Sequence, residues 1–261
     1  MKTTKTIVLI HGLFVNNLTW KPWVTYLESK GFTVHTPSNP AHEGQPLSLR
    51  SNIAKNLTKT GLRDAVDNVI GLINTLPEKP IVIGHSLGGL IVQKLVELDK
   101  VVAGVCLNGA PPKNIIAPFS TVKIVFPVVN PLKGNSAFLG SKEWYHRAFF
   151  NNYTKAQSDE LYEQFAVPES RKIARDTLLT SFANINFKQT HSPLLFTAGG
   201  HDNIFSPSLI KRIANSYKDK SGISDFKEFE DKSHFIAGEE GWEDVVNYIL
   251  NWVERTAKKI E

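Results

Sequence analysis

Short apolar runs recur along the first 110 residues, and stretches with helical spacing lie between them. Ile7–Ile10, Ile81–Ile83 and Val101–Leu107 have the length of buried strands, and Phe32–Thr36 is rich in β-forming residues. Apolar positions at helical spacing predict three helices, at Trp20–Lys30, Arg63–Leu76 and Gly88–Leu98. Residues 37–52 contain three prolines, which predict a loop. Alternating strands and helices indicate a parallel sheet with helices on both faces.

The alternation stops near residue 111 and resumes near residue 191. Between them no clean strand pattern occurs, and Ser158–Phe165 and Glu169–Phe182 have helical spacing. The alternation then returns as strand, helix, strand and helix, at Pro193–Thr197, Ser206–Tyr217, Asp225–Phe229 and Trp242–Lys258. The sequence therefore predicts an α/β core of about six strands, formed by residues 1–110 and 191–261. A mainly helical insertion, residues 111–190, caps one end of the sheet, because a structureless loop of that length is improbable.

The 261-residue chain has an ordinary globular composition, with 41% hydrophobic and 21% charged residues. Intrinsic disorder and a coiled coil are therefore excluded as descriptions of the whole chain. The single cysteine, Cys106, excludes a disulfide within the chain. The formal net charge is +5, and residues 112–189 carry +4 of it, from ten Lys and Arg and six Asp and Glu. No run of five basic residues occurs, so the sequence does not indicate nucleic-acid binding.

The first apolar run, Ile7–Ile10, is too short for a signal peptide and is better explained as a strand. No stretch approaches the ~18 apolar residues of a membrane span. We therefore expect a cytoplasmic protein with no membrane span.

The clearest chemical signal is the motif Gly84-His-Ser-Leu-Gly-Gly89, which follows a predicted strand and opens a predicted helix. This strand–turn–helix context is the one that a nucleophile elbow requires, with Ser86 as the nucleophile. Gly84 and Gly88 flank the serine, where the turn is too tight for side chains. A glycine-rich turn that binds phosphate is the alternative.

A serine nucleophile needs a base, and the base needs a carboxylate that orients it. In a fold with such an elbow the chain order is serine, acid, histidine. Of the eight histidines, His234 alone lies in the loop between the last predicted strand and the last helix. Asp202 follows the predicted strand Pro193–Thr197 and is the candidate acid. Its alternative explanation is a structural role in a turn. The alternative position for the acid, at the end of the predicted strand Val101–Leu107, holds Asn108, which is not a carboxylate.

Acyl transfer also needs two donors that bind the oxyanion. The backbone N–H of Leu87, directly after the serine, is one candidate. The loop that follows the first strand supplies the other, with the N–H of Leu13 preferred and that of Phe14 second. His11 and Gly12 open this loop, and a plain turn is their alternative explanation.

With these motifs assembled, the chain resembles the α/β-hydrolase superfamily over nearly its whole length. The resemblance rests on Ile10-His11-Gly12, on the motif around His85 and Ser86, on Gly200-His-Asp202 and on Ser233-His234. It implies an α/β-hydrolase fold similar to the compact esterase and methylesterase branch, which also contains hydroxynitrile lyases. A serine nucleophile argues against dehalogenases and epoxide hydrolases, which use aspartate. Plant-type hydroxynitrile lyases often carry lysine after the catalytic histidine, where this chain has Phe235.

The resemblance implies a serine hydrolase that cleaves a carboxylic ester of a small or medium, hydrophobic substrate, with no cofactor and no metal. Hydrolysis of a C–C bond or a lactone by the same triad is one alternative. A ligand-binding protein on a hydrolase fold is another. Aromatic and aliphatic residues of the insertion, such as Trp144 and Phe149, pack on the core, line a substrate pocket, or do both. The oligomeric state is left open.

Overall fold

Six parallel strands form one sheet in the computed structural model, which describes residues 4–219 and 222–260. The strands of this sheet are β1 (Thr6–Ile10), β2 (Thr33–His35), β3 (Ile81–His85), β4 (Ala103–Leu107), β7 (Leu194–Gly199) and β8 (Ser224–Phe229). Their order is β2-β1-β3-β4-β7-β8, and every neighbouring pair is parallel. The prediction of a six-stranded parallel sheet is confirmed. Ile10 pairs with Gly84, and Gly84 pairs with Cys106, so the carboxyl ends of β1, β3 and β4 lie side by side.

Helices cover both faces of this sheet. The helices are α1 (Lys21–Ser29), α2 (Pro46–Ser51), α3 (Leu62–Ile73), α4 (Leu87–Glu97), α5 (Phe119–Val129), α6 (Lys142–Ala148), α7 (Lys155–Phe165), α8 (Arg171–Leu179), α9 (Pro207–Ala214) and α10 (Trp242–Ile260). Along β1, Ile7 and Leu9 pack with α1 and α10, whereas Val8 and Ile10 pack with α3, α4 and α9. This alternation is the period of two expected of a strand that is buried on both faces.

The structure corrects the predicted loop at residues 37–52, which contains the short helix α2. Pro46 is the first residue of that helix, where the fixed φ of proline favours helix initiation. In the 111–190 segment, two strands of two residues each, β5 (Ala137–Phe138) and β6 (Glu169–Ser170), form an antiparallel pair. The helices α5 and α6 were not predicted, because α5 contains Pro127 and α6 has only seven residues.

The 111–190 segment lies between β4 and β7 along the chain and is mainly helical, as predicted. Its helices α5 and α8 contact each other, and α7 contacts α2 of the core. Within the described ranges, no helix combines the length and the apolar character needed to cross a membrane.

Close backbone packing joins β1, β3 and the start of α4. A Cβ atom on Gly88 would lie 2.4 Å from the carbonyl oxygen of Ile10, and one on Gly84 would lie 2.2 Å from the carbonyl oxygen of Gly88. Real Cβ atoms do not approach backbone oxygens so closely, so the turn requires glycine at both positions. The elbow glycines therefore bring the end of β1 directly beside the start of α4.

Gly88→Ala tests this packing. We expect the substitution to lower the free energy of unfolding by about 1–3 kcal/mol or more, because the backbone of Ile10 must shift to admit the methyl group. Gly71→Ala is the matched control, since a Cβ on Gly71, in α3, has no atom within 4 Å. That variant should gain up to about 1 kcal/mol from helix propensity. Urea unfolding curves measure both, and equal stability of the two variants would contradict the packing argument.

Candidate active site

Ser86 stands at the turn between β3 and α4 with a strained backbone. Its φ of 55° and ψ of −116° lie in a region that side-chain-bearing residues rarely adopt. Three backbone hydrogen bonds hold this conformation. The Ser86 N–H donates to the Leu107 carbonyl (3.0 Å), and the Ser86 carbonyl accepts from the N–H groups of Ala110 (2.8 Å) and Gly89 (2.9 Å). The serine is 8% exposed, and its side chain faces an apolar cavity. A nucleophile elbow requires a strand–turn–helix geometry of this kind, and the role of Ser86 as a nucleophile stays a prediction.

Asp202 and His234 form a buried pair at the same edge of the sheet. The Nδ1 atom of His234 lies 2.8 Å from Oδ2 of Asp202, and neither side chain is exposed. The other carboxylate oxygen, Oδ1, accepts from the backbone N–H groups of Ile204 (2.7 Å) and Phe205 (2.9 Å). Because an ionised carboxylate only accepts, the proton of a neutral His234 ring lies on Nδ1. The Nε2 atom of His234 is then left as a base.

Nε2 of His234 has no hydrogen-bond partner among the described residues, and no hydrogen bond joins it to Ser86. Two aromatic rings lie between His234, which is fully buried, and the cavity that Ser86 lines. The ring of Phe149 lies 5.1 Å and that of Phe205 lies 5.5 Å from the His234 ring, and both phenylalanines line the cavity. The structure thus brings Asp202 and His234 into contact, and Ser86 lies in the cavity whose phenylalanines pack against His234.

The loop after β1 lies against the serine. A Cβ on Gly12 would lie 2.7 Å from Cβ of Ser86, so glycine permits this approach. Leu13 and Leu87, the two candidate oxyanion donors, line the cavity together with Ser86. Phe14, the second candidate in the loop, has a positive φ of 69°. A non-glycine residue in this region marks a loop whose conformation the surrounding structure imposes.

Asn108 connects the loops that carry the acid and the histidine, and the sequence did not identify it in this role. Its Nδ2 donates to the carbonyls of Ser233 (2.9 Å) and His234 (3.3 Å), and its Oδ1 accepts from Gly199 N–H (2.8 Å). Asn108 itself has a positive φ of 45°. The only available signal was its place directly after β4, beside the strand that precedes Asp202. A fully satisfied buried amide of this kind fixes the relative position of the elements that it joins.

His85 supports the same loop from the other side. Its Nε2–H donates to the His234 carbonyl at 2.7 Å. Burial, followed by the proximity of His234, lowers the pKa of His85 to about 3. The ring is therefore neutral at physiological pH and acts as a hydrogen-bond donor to the backbone.

His11 connects the loop after β1 to a second buried pair. Its Nε2 accepts from Asn39 N–H (2.9 Å), its Nδ1–H donates to Gly12 (2.7 Å), and burial lowers its pKa to about 3. The ring of His42 lies 5.8 Å away, and Nε2 of His42 lies 3.1 Å from Oε2 of Glu169 in β6. Both members of this ion pair are buried. The pair links the core to the 111–190 segment. Its two residues are 127 positions apart, so no local pattern in the sequence predicts their contact.

The cavity in front of Ser86 has a volume of about 120 Å³ and lies between the core and the 111–190 segment. Phe149 and Phe205 line it near His234, and Trp144 and Val125 are among the apolar residues that the segment contributes. The surrounding side chains are almost entirely apolar, so the cavity suits a hydrocarbon or aromatic group. No cluster of three or more His, Cys, Asp or Glu able to hold a metal occurs among the residues with described positions.

Comparison with known proteins agrees with this architecture. The sequence profile of a family described as "Alpha/beta hydrolase family" matches residues 7–247. A monoacylglycerol lipase from Paleococcus ferrophilus is similar in structure, with a TM-score of 0.69, 21% identity, and coverage of 97% of this chain and 96% of the lipase. Tomato methylketone synthase I in complex with 2-tridecanone gives a TM-score of 0.70 at 17% identity, covering 97% and 99% of the two chains. A methylesterase from Arabidopsis has a TM-score of 0.69 at 16% identity, and the match covers 95% of this chain and 98% of the methylesterase.

No curated protein matches the sequence significantly. At identities this low, the structural similarity establishes the fold alone. The profile match covers most of the chain, from β1 into α10.

The His42–Glu169 ion pair predicts a pH-dependent stability. Burial by itself would lower the pKa of His42, but the adjacent Glu169 carboxylate, with smaller contributions from the Pro40 carbonyl and Glu43, outweighs it and raises this pKa above its ordinary value of 6.5. A raised pKa means that the folded protein binds the proton more tightly, so this stabilisation is complete below pH 6.5 and is lost as pH rises through the raised pKa. His42→Gln should lower the free energy of unfolding at pH 6 by about 3–5 kcal/mol, because Glu169 loses its partner.

Urea unfolding between pH 6 and pH 9 measures the effect. Wild type should lose stability over this range, and His42→Gln should lose less. His35→Gln is the control, because His35 is only partly buried at the end of β2. Parallel pH profiles for wild type and His42→Gln would contradict the prediction.

Proposed function

The chain belongs to the alpha/beta hydrolase family, and we propose that it is a serine-dependent hydrolase of carboxylic esters with a hydrophobic acyl or alcohol group. The observation that carries the proposal is the 2.8 Å contact between Asp202 and His234. Nε2 of His234 has no hydrogen-bond partner among the described residues, and the His234 ring packs against Phe149 and Phe205, which line the cavity together with Ser86. The chain order of serine, acid and histidine supports the same assignment.

In the proposed reaction, Ser86 Oγ attacks the ester carbonyl while Nε2 of His234 takes the hydroxyl proton. Asp202 keeps the imidazole in the tautomer with Nδ1 protonated and stabilises the imidazolium that forms. The negative charge on the carbonyl oxygen is bound by the N–H groups of Leu13 and Leu87. When the tetrahedral intermediate collapses, His234 returns the proton to the alcohol oxygen, and the alcohol leaves.

Water then cleaves the acyl-enzyme. Nε2 of His234 removes a proton from the water as it attacks the acyl carbonyl, and the same proton returns to Ser86 Oγ when the acid leaves. The two steps consume one water and need no cofactor or metal. His85 and Asn108 act as positioning residues here, because they hold the backbone of His234 and do not face the cavity.

In this proposal the 111–190 segment is a cap that selects the substrate. Its side chains form the apolar wall opposite Ser86, from α5, α8 and the aromatic pair Trp144 and Phe149. An apolar wall lowers the local dielectric, which strengthens the hydrogen bonds to a developing oxyanion. It also favours hydrophobic esters over polar ones.

Substitution of the three proposed catalytic residues tests the mechanism. Ser86→Ala should abolish hydrolysis of p-nitrophenyl esters and labelling by a fluorophosphonate, with unfolding unchanged. Asp202→Asn should lower kcat by about 10⁴-fold, because the amide permits the wrong imidazole tautomer. Ser29→Ala is the control, since Ser29 lies at the end of α1 and is exposed. Full activity in Ser86→Ala would refute the proposal, whereas an inactive wild type that still labels at Ser86 would indicate a different scissile bond.

The cavity wall predicts a dependence on acyl chain length. Ala174 of α8 is buried and lines the cavity, so a larger residue there removes space from it. Ala174→Val and Ala174→Phe should progressively lower kcat/KM for p-nitrophenyl octanoate and dodecanoate, by about tenfold or more for phenylalanine, while acetate hydrolysis changes little. Thermal unfolding of each variant checks the fold. An equal loss for all chain lengths at unchanged stability would show that this wall does not contact the acyl group.

A further inference from the structure

Exposed apolar side chains are concentrated on the 111–190 segment. Among the described residues, eleven large hydrophobic side chains are exposed, and eight of them lie in this segment. Phe119 is 81% exposed, Ile116 is 86% exposed and Leu132 is 91% exposed. Large exposed apolar patches mark interaction sites, whereas single exposed apolar side chains need no explanation. We call the side chains of Ile116, Phe119, Val122, Phe126, Leu132, Leu178 and Leu179 the outer patch.

Helix α5 is apolar on two opposite faces. One face of α5 lines the cavity and carries Thr121, Val125 and Val128, which have the three- and four-residue spacing of a helix face. The second face is exposed and carries Phe119, Val122 and Phe126 at the same spacing. A helix that is apolar all round is normally buried on all sides. The outer stripe of α5 therefore has no covering element among the described residues.

Basic residues accompany the outer patch. Residues 112–142 contain four lysines and no aspartate or glutamate. Lys123 lies on the exposed stripe between Phe119 and Phe126, and Lys133 follows Leu132. Arg212 donates to the Ile116 carbonyl, which places a further cation at the rim. Lys123 and Lys133 form no ion pair with the described residues, so their charges are available to an anionic partner, whereas Lys113 Nζ donates to the Leu179 carbonyl at 2.9 Å.

This combination points to one occupant. We propose that the outer patch docks the protein on the surface of a bilayer that contains anionic phospholipids. Lysines and apolar side chains on one face are the pattern of a helix that lies in the membrane interface, with its apolar face among the acyl chains and its cations at the phosphates. The eleven residues of α5 span about 16 Å, against about 30 Å for the hydrocarbon core, so α5 would lie in the interface and not cross it.

A second copy of the chain fits this surface less well. A two-fold dimer would bring the same patch of each copy together, and with it the lysines of both. Those like charges would repel without an acidic residue between 112 and 142 to neutralise them.

The patch is also continuous with the cavity. Val122 and Leu178 belong to the exposed patch and line the cavity, and Ala117 lines it beside Ile116. An apolar molecule held in the bilayer would reach the cavity along apolar side chains. Docking itself does not depend on the proposed hydrolysis, so the two proposals can fail independently.

Flotation of the 261-residue chain with vesicles tests docking. The vesicles are phosphatidylcholine alone and a 7:3 mixture of phosphatidylcholine and phosphatidylglycerol. We expect wild type and Ser86→Ala to float equally with the anionic vesicles, with binding that weakens as salt is raised. Phe119→Ser/Phe126→Ser and Lys123→Gln/Lys133→Gln should each reduce this binding about tenfold. None of these four residues lines the cavity.

Two double variants are the matched controls. Leu47→Ser/Leu98→Ser removes exposed apolar side chains outside the segment, and Lys55→Gln/Lys59→Gln removes exposed lysines outside it. Both should bind vesicles as wild type does. Thermal unfolding and hydrolysis of p-nitrophenyl acetate check that every variant except Ser86→Ala keeps its fold and its site.

Three outcomes would overturn the proposal. The first is no binding of wild type to either vesicle, and the second is equal binding by wild type and the patch variants. The third is a dimer in sedimentation equilibrium that Phe119→Ser/Phe126→Ser dissociates, which would assign the outer patch to a second copy of the chain.

Discussion

The backbone contact between the end of β1 and the start of α4 is the constraint on which the candidate site depends. Gly88 can lie against the Ile10 carbonyl only because it has no side chain. That contact brings the loop after β1 beside Ser86, where Gly12 lies against the serine Cβ. Leu13 and Leu87, the proposed donors, approach the same point from two elements that are far apart in sequence. The strained φ of Ser86 is stabilised by hydrogen bonds to the ends of neighbouring elements, so the candidate site is built into the edge of the sheet.

The 111–190 segment is hydrogen-bonded to each of the three loops that form the site. Tyr145 Oη donates to the Phe14 carbonyl, Thr121 Oγ1 donates to the Ile204 carbonyl beside Asp202, and Ser233 Oγ donates to the Phe149 carbonyl beside His234. The segment therefore does more than cover the cavity, because its hydrogen bonds hold the loops that carry Asp202 and His234. A change in the segment can alter the geometry of His234 without touching the cavity.

The sequence predicts the parts of this molecule that depend on local pattern and chain order. Buried strands such as β1 and β3 are apolar runs, and the position of His234 between the last strand and the last helix follows from topology. Helix α5 escaped prediction because it is apolar on two faces and contains Pro127, so it lacks the single stripe that reveals a helix at a surface. The contacts of Asn108 and of the His42–Glu169 pair were not predicted, because contacts between distant positions produce no periodic pattern in the sequence.

The two faces of α5 connect the energetics of the cavity to those of the surface. Burying an apolar side chain gains free energy in proportion to the area removed from water, and the inner stripe of α5 gains it against the cavity wall and α8. The outer stripe gains no such free energy in water, because no described element covers it. A site for hydrophobic esters requires an inner apolar wall, but it does not require Phe119 or Phe126 to be apolar. Their exposure beside unpaired lysines therefore needs a cause outside the cavity, and an anionic lipid surface supplies both the apolar phase and the charge.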